Sequence, residues 1–323
     1  MNSTRGPAVG VDVGGTKLLA VLLGSDGDVI EATKEPIRGA DLVSQVTDVA
    51  VRLGGGTPDS VGIGVPALID SAGTILFAPN LQSSIGTRLG ELVSHRLGGT
   101  RLWIGNDATC AAWGEYVSGA GRGSADMLMV SLGTGIGGGI VIDGRLYEGT
   151  NRMAGEFGHM VLEVDGPPCP CGNRGCWERF ASGSALGELA RQEAGSGRAP
   201  LVLDLAGGDP AAVTGEHVTT AAIGGDPDAL RLMAALGRFV AVGIANLVNI
   251  FDPQVVVVGG GMIKAGEVLM APIRASLDGL AMGARVRPQV PVVPALLGEK
   301  SAAVGAGLMA MAMAMAAEGG VVS

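Results

Sequence analysis

Apolar residues in this chain come in short runs that end on glycine. The first is Ala8-Val9-Gly10-Val11-Asp12-Val13, followed by Gly14-Gly15-Thr16-Lys17 and then a second run over 18–23. That order predicts strand, glycine turn, strand, with another turn at Ser25-Asp26-Gly27 and a third strand from about Val29. Helical spacing follows over 41–53, and a strand over 60–65. A short strand at 102–104 leads through Asn106-Asp107 into an alanine-rich helix at 108–117. The opening pattern then returns: an apolar run at 127–132, a glycine turn at 133–139, a strand at 140–142 and a turn at Asp143-Gly144. Val255–Val258 with three glycines behind it predicts a buried strand with an open end, and the chain closes on a helix of Ala, Met and Leu from Ser301. Residues 195–215 are glycine-rich and weakly patterned, and are expected to be an exposed connection in preference to a lid.

Two copies of the strand–turn–strand unit, one opening each half, predict duplicated α/β domains facing one another. A length of 323 residues suits two domains that share a cleft. Strand ends that carry glycine are where such folds place ligands. Hydrophobic residues make up 47% and aromatics only 3%, so the cores must be aliphatic. Net charge is −9 without a long basic run, which argues against a phosphate-backbone binder. No leader is evident and no apolar run is expected to span a bilayer, the best mimic being 302–317. The expectation is a cytoplasmic protein with neither membrane nor nucleic-acid partner.

Gly133-Thr134-Gly135-Ile136-Gly137-Gly138 satisfies the dinucleotide fingerprint, but that motif needs a helix behind it and here a strand follows. A glycine hairpin that holds phosphate on backbone amides remains open. More specific is His159 ten residues before Cys169-Pro170-Cys171-Gly172-Asn173-Arg174-Gly175-Cys176. Three thiolates and one imidazole form the ligand set of a closed, structural zinc site. Cys110, among alanines, reads as core.

Asn106-Asp107 stands at a strand-to-helix junction, where an aspartate ordinarily caps the helix. A functional reading needs partners, and Glu156, just before the histidine, and Glu178, just after the last cysteine, supply them. Carboxylates tied to one knuckle can accept adjacent hydroxyl protons of a polyol. His95 and His217 are expected to be surface residues without partners.

Together these segments resemble the bacterial ROK family of sugar kinases and regulators. They are 12–17, Asn80-Leu81, Asn106-Asp107, 133–139, 155–159, the knuckle through Glu178, and 259–261. The resemblance implies two actin-like (ribonuclease H-like) α/β domains flanking a cleft. These would be a small domain over 1–107, to which a helix at about 301–318 returns, and a large one over 108–300. It implies transfer of the γ-phosphoryl of ATP to the 6-hydroxyl of glucose, with Asp107 as the base. Asn80, Asn106, Glu156, His159 and Glu178 would contact the sugar. Gly14, Gly15, Thr16, Lys17, Thr134 and Gly135 would hold phosphates, Asp12 would stand near magnesium, and Gly259, Gly260 and Gly261 near the nucleoside. His159, Cys169, Cys171 and Cys176 would bind structural zinc, and the protein would be a homo-oligomer, dimer or tetramer. Fructose, mannose and N-acetylated hexosamine are the alternative acceptors, and a non-enzymatic sugar sensor the alternative of another class. One departure is the absence of an aromatic residue after Leu81, where Gln82-Ser83-Ser84-Ile85 stands.

Overall fold

In the computed structural model, which describes residues 7–37, 41–78 and 81–319, the first two apolar runs pair as an antiparallel hairpin. β1 (Ala8–Val13) lies against β2 (Lys17–Leu23), with Val13 opposite Leu18. β3 (Val29–Pro36) extends the hairpin. α1 (Leu42–Gly54) is capped by Asp41, whose carboxylate accepts from Ser44 N at 2.9 Å, and it ends on the left-handed Gly55. β4 (Ser60–Val65) then joins β1 in parallel. After the ribbon of β5 (Leu68–Ile69) and β6 (Ile75–Phe77) come α2 (Leu89–Leu97), β7 (Arg101–Asn106) and α3 (Asp107–Ser118). The sheet order is β3-β2-β1-β4-β7, so the strand leading to Asn106-Asp107 is an edge.

A second five-stranded sheet repeats the scheme. It holds β8 (Met127–Leu132), β9 (Ile136–Ile142), β10 (Arg145–Leu146), β11 (Val255–Gly259) and β12 (Val292–Pro294), in the order β10-β9-β8-β11-β12. β9 starts at Ile136, four residues earlier than expected. Gly137, Gly138 and Gly139 are strand residues, and Gly139 lacks a side chain where Ala112 of α3 packs.

Between these strands run α4 (Glu178–Ala181), α5 (Gly183–Gly195), α6 (Pro200–Leu205), α7 (Gly215–Ile223), α8 (Pro227–Phe251) and α9 (Glu267–Leu277). The stretch expected to be an exposed connection is therefore partly helical, since Val202 of α6 and Val213 are buried. His217 is not partnerless: its Nδ1 accepts from Thr214 N at 3.1 Å and caps α7. α8 is long and apolar enough to cross a membrane by length and composition, contrary to expectation. Leu232, Leu236, Val240, Ile244 and Val248 recur at helical spacing and are buried within the protein, as in a core helix.

Packing divides the chain into two units, 1–125 with 139–155 and 299–323, and 126–138 with 156–298. α10 (Ser301–Gly319) belongs to the first and packs on α3, β1 and β4. The approach needs missing side chains: one at Gly10 or Gly62 would run into α10's backbone at Ala303 or Ala306. Glu115 of α3, wholly buried, accepts from Ser301 Oγ at 2.7 Å and Ala120 N at 2.9 Å, fixing the start of α10.

Candidate active site

In the first unit, β1 carries Asp12 at its end and β7 runs directly into Asn106 and Asp107. The cap falls to Asn106, not Asp107: Asn106 Oδ1 accepts from Thr109 N at 3.0 Å. Asp107 is the first helical residue, and its Oδ1 accepts from the adjacent Ala108 N at 2.9 Å. The Asp107 carboxyl is raised above the usual carboxylate range by burial, against which the Ala108 amide pulls. Burial, then the like charge of Asp107, pushes Asp12 up to about 8. A partly buried carboxylate at a strand end, as Asp12 is, suits a hard divalent cation such as magnesium.

Beyond Asp12, Gly14 N donates to Lys17 O at 2.8 Å and closes the hairpin turn, leaving Gly15, Thr16 and Lys17 exposed. Asn80 lies outside the described residues. Leu81 is partly buried against the core.

The second unit gathers the remaining candidates around the knuckle. Cys169 Sγ lies 3.7 Å from His159 Nδ1, and Cys171 Sγ lies 3.7 Å from Cys176 Sγ. All four ligand atoms fall within 4.8 Å of one another. A tetrahedral zinc with Zn–S bonds of about 2.3 Å sets its thiolates about 3.8 Å apart, so the cluster fits that ion in chemistry and spacing. The turn that makes this possible is tight: Cys169 N donates to Asn173 O at 2.8 Å and Gly172 takes φ 97°.

With Nδ1 on the thiol side, His159 Nε2 faces Glu156 Oε2 at 3.9 Å, and Glu178 Oε1 stands 4.0 Å from Nδ1. Glu178 Oε1 also accepts from Cys169 Sγ at 3.2 Å, and its Oε2 from Ile136 N at 3.4 Å. That second contact needs Gly135, because a side chain there would meet Glu178 Oε2. The glycine loop is thus joined to the knuckle through one carboxylate. Gly183 N donates to Gly133 O at 2.8 Å, Thr134 is exposed, and Gly260 takes φ 83° with its α-carbon against the Leu132 backbone. Gly259 is buried and Gly261 exposed.

Trp177, between the last cysteine and Glu178, was missed by sequence reasoning. It is wholly buried, donates from Nε1 to Phe239 O at 2.8 Å and fills the space left by Gly243 on α8. Its signal was its place inside the knuckle of a chain so poor in aromatics.

Two α/β units, one ending its strands on half-buried carboxylates and the other on a thiol–imidazole knuckle beside a glycine loop, define an actin-like ATPase fold. The ROK family model matches residues 8–313, and the chain belongs to that family. It is 38% identical over 309 residues to a glucokinase of Streptomyces coelicolor, covering 93% of this chain and 96% of the relative. A glucokinase of Thermotoga maritima is 35% identical over 82% of this chain and 85% of its own length. Among solved structures, a ROK family glucokinase from Streptomyces griseus in complex with glucose and AMPPNP superposes with a TM-score of 0.86. It is 38% identical, over 94% of this chain and 99% of that one.

Proposed function

We propose that this protein is a glucokinase that transfers the γ-phosphoryl of ATP to the 6-hydroxyl of glucose. The observation that carries the reading is Asp107. It is a half-buried carboxyl relieved of capping by Asn106, in a chain 38% identical to a structure holding glucose and an ATP analogue. Asp107 accepts the proton of the attacking hydroxyl, and its raised affinity for protons brings it closer to the working range of a general base. Asn106, Glu156, His159 and Glu178 hold sugar hydroxyls, with Asn80 as a further contact. Glu156 reaches Nε2 of an imidazole whose Nδ1 is committed to the knuckle.

Gly14 closes the turn through its own amide, and the backbone amides of Gly15, Thr16, Thr134 and Gly135, with Lys17, orient the phosphates, while Gly259, Gly260 and Gly261 let the nucleoside approach. Magnesium, bound with ATP, would neutralise charge on the phosphates, and Asp12 is the side chain that would face it. Zinc, held by His159, Cys169, Cys171 and Cys176, would be structural, because four protein ligands leave no open position. The functional protein is taken to be a homo-oligomer.

The test is a sugar panel with purified protein, ATP and magnesium. Phosphorylation of glucose ahead of fructose, mannose and N-acetylated hexosamine is expected. Turnover of another hexose in its place reassigns the acceptor, and saturable glucose binding without turnover would make the chain a sensor.

A further inference from the structure

β7 is the edge of its sheet, so among the described residues the strand that delivers Asn106 and Asp107 has a paired strand on one side only. Arg152 supplies part of what a neighbour would. Its Nη2 donates to Ile104 O at 3.0 Å, two residues before Asn106. Its Nε donates to Glu148 Oε1 at 3.0 Å, which fixes the plane of the guanidinium. That plane lies over the Trp103 indole, 5.4 Å from its centroid, and the same indole folds across Gly105, where any side chain would collide with it. Arg152, Trp103 and Gly105 thus form one stack whose last member adjoins Asn106.

The backbone at Arg152 bears on the same point. Arg152 has φ 59°, a left-handed backbone that favours glycine, so its side chain is carried at a cost in backbone strain.

We propose that Arg152, oriented by Glu148, is a positioning residue for Asp107: it holds the end of β7 so that the carboxylate meets the acceptor hydroxyl. The inference rests on the reading of Asp107 as the base. A guanidinium suits the task because its planar fork can bond two acceptors and stack at once, which an ammonium cannot. It touches neither sugar nor phosphate in this scheme, so its loss acts on kcat and not on nucleotide affinity.

The test compares Arg152→Gly, Arg152→Lys and Asp107→Asn with wild type in the full-length protein. Glycine accepts the left-handed backbone without strain, so Arg152→Gly removes the side chain while favouring the fold. Amide hydrogen exchange over 103–108 should accelerate in Arg152→Gly. With glucose, kcat should fall by about ten- to a hundredfold while KM for ATP holds, and Arg152→Lys should recover part of the loss. Unchanged exchange in Arg152→Gly overturns the proposal. Accelerated exchange with full kcat, while Asp107→Asn is impaired, also overturns it, because β7 would then be held for stability alone. If Asp107→Asn keeps wild-type turnover, it is the reading of the base that fails, and the exchange result still decides whether Arg152 holds β7.

Discussion

At the scale of single residues, the division of labour between Asn106 and Asp107 governs the chemistry. A helix that begins at a strand end needs an acceptor for its first amides, and Asn106 supplies it. Asp107→Asn should therefore fold normally, keep glucose binding by calorimetry, and lose about a hundredfold or more in turnover; near wild-type turnover would remove Asp107 from the role of base. Asp12 makes a separate prediction through pH. Its carboxyl is raised from 3.8 to about 8 in the folded chain, so between those values the folded state holds a proton that the unfolded state has lost. That contribution to stability is complete below about 3.8 and is lost as pH rises through about 8. In ligand-free protein, the melting temperature of Asp12→Asn minus that of wild type should grow from pH 5 to 8 and then level off. Asp107, raised in the same direction, leaves a residual slope of the same sign in the variant. A difference independent of pH would mean that Asp12 titrates normally. The sequence announced Asp107 by its place at a strand-to-helix junction, and Asp12 only through the family resemblance. It did not announce that Asn106 would take the cap, because either residue type serves there and only the backbone turn decides between them.

At the scale of elements, glycine does two different jobs, and only one is visible in the sequence. Glycines between apolar runs mark turns, and the strands at 60–65 and 127–132 lie where the pattern places them. Glycines inside strands and helices exist because another segment comes close, and nothing local says which one. Gly62 makes room for α10, more than two hundred residues away in sequence, as Gly139 does for α3 and Gly243 for Trp177. For that reason the glycine loop was expected to reach Gly139 when the ladder resumes at Ile136. Gly62→Val should cost about 3 kcal/mol or more in urea unfolding, since the obstruction is helix backbone and not a side chain that can move aside. A wild-type midpoint would mean that α10 does not rest on β4. The knuckle was the most legible element, because thiols and an imidazole at that spacing have few other uses. Purified protein should contain about one zinc per chain, and Cys171→Ser should lower that content. The knuckle positions His159 and Glu178, so glucose affinity in that variant should fall by at least about tenfold while an ATP analogue binds within about twofold of wild type. Metal-free protein with full kinase activity would leave the cysteines as core residues only.

At the scale of the whole molecule, the candidates for one reaction are drawn from both units. Asp12, Asn106 and Asp107 belong to the first, and Glu156, His159, Glu178 and the cysteines to the second. The sequence could suggest this, because the same strand–turn–strand pattern opens each half. The resemblance also implied the return of the C-terminal helix, which packs on β1 and β4, but nothing local in the sequence showed that 139–155 joins the first unit as its middle stretch. The prediction at this scale follows from linkage. A ligand that binds only the folded state stabilises it by about 2.7 kcal/mol at a hundred times its Kd, and the protection appears in the segments that contribute to binding. If glucose is held by Asn106 and Asp107 together with Glu156, His159 and Glu178, it should slow amide exchange over 104–110 and over 156–180 alike, with the same concentration dependence. Cys171→Ser should abolish the protection of 156–180 first, because its scaffold is lost, and raise the glucose concentration needed to protect 104–110. Asp107→Asn should leave both protections in place while turnover collapses, since it removes a proton acceptor and keeps the hydrogen-bonding shape. Protection confined to 156–180 in wild type, at saturating glucose, would take Asn106 and Asp107 out of the sugar site and leave the second unit as the whole of the recognition surface.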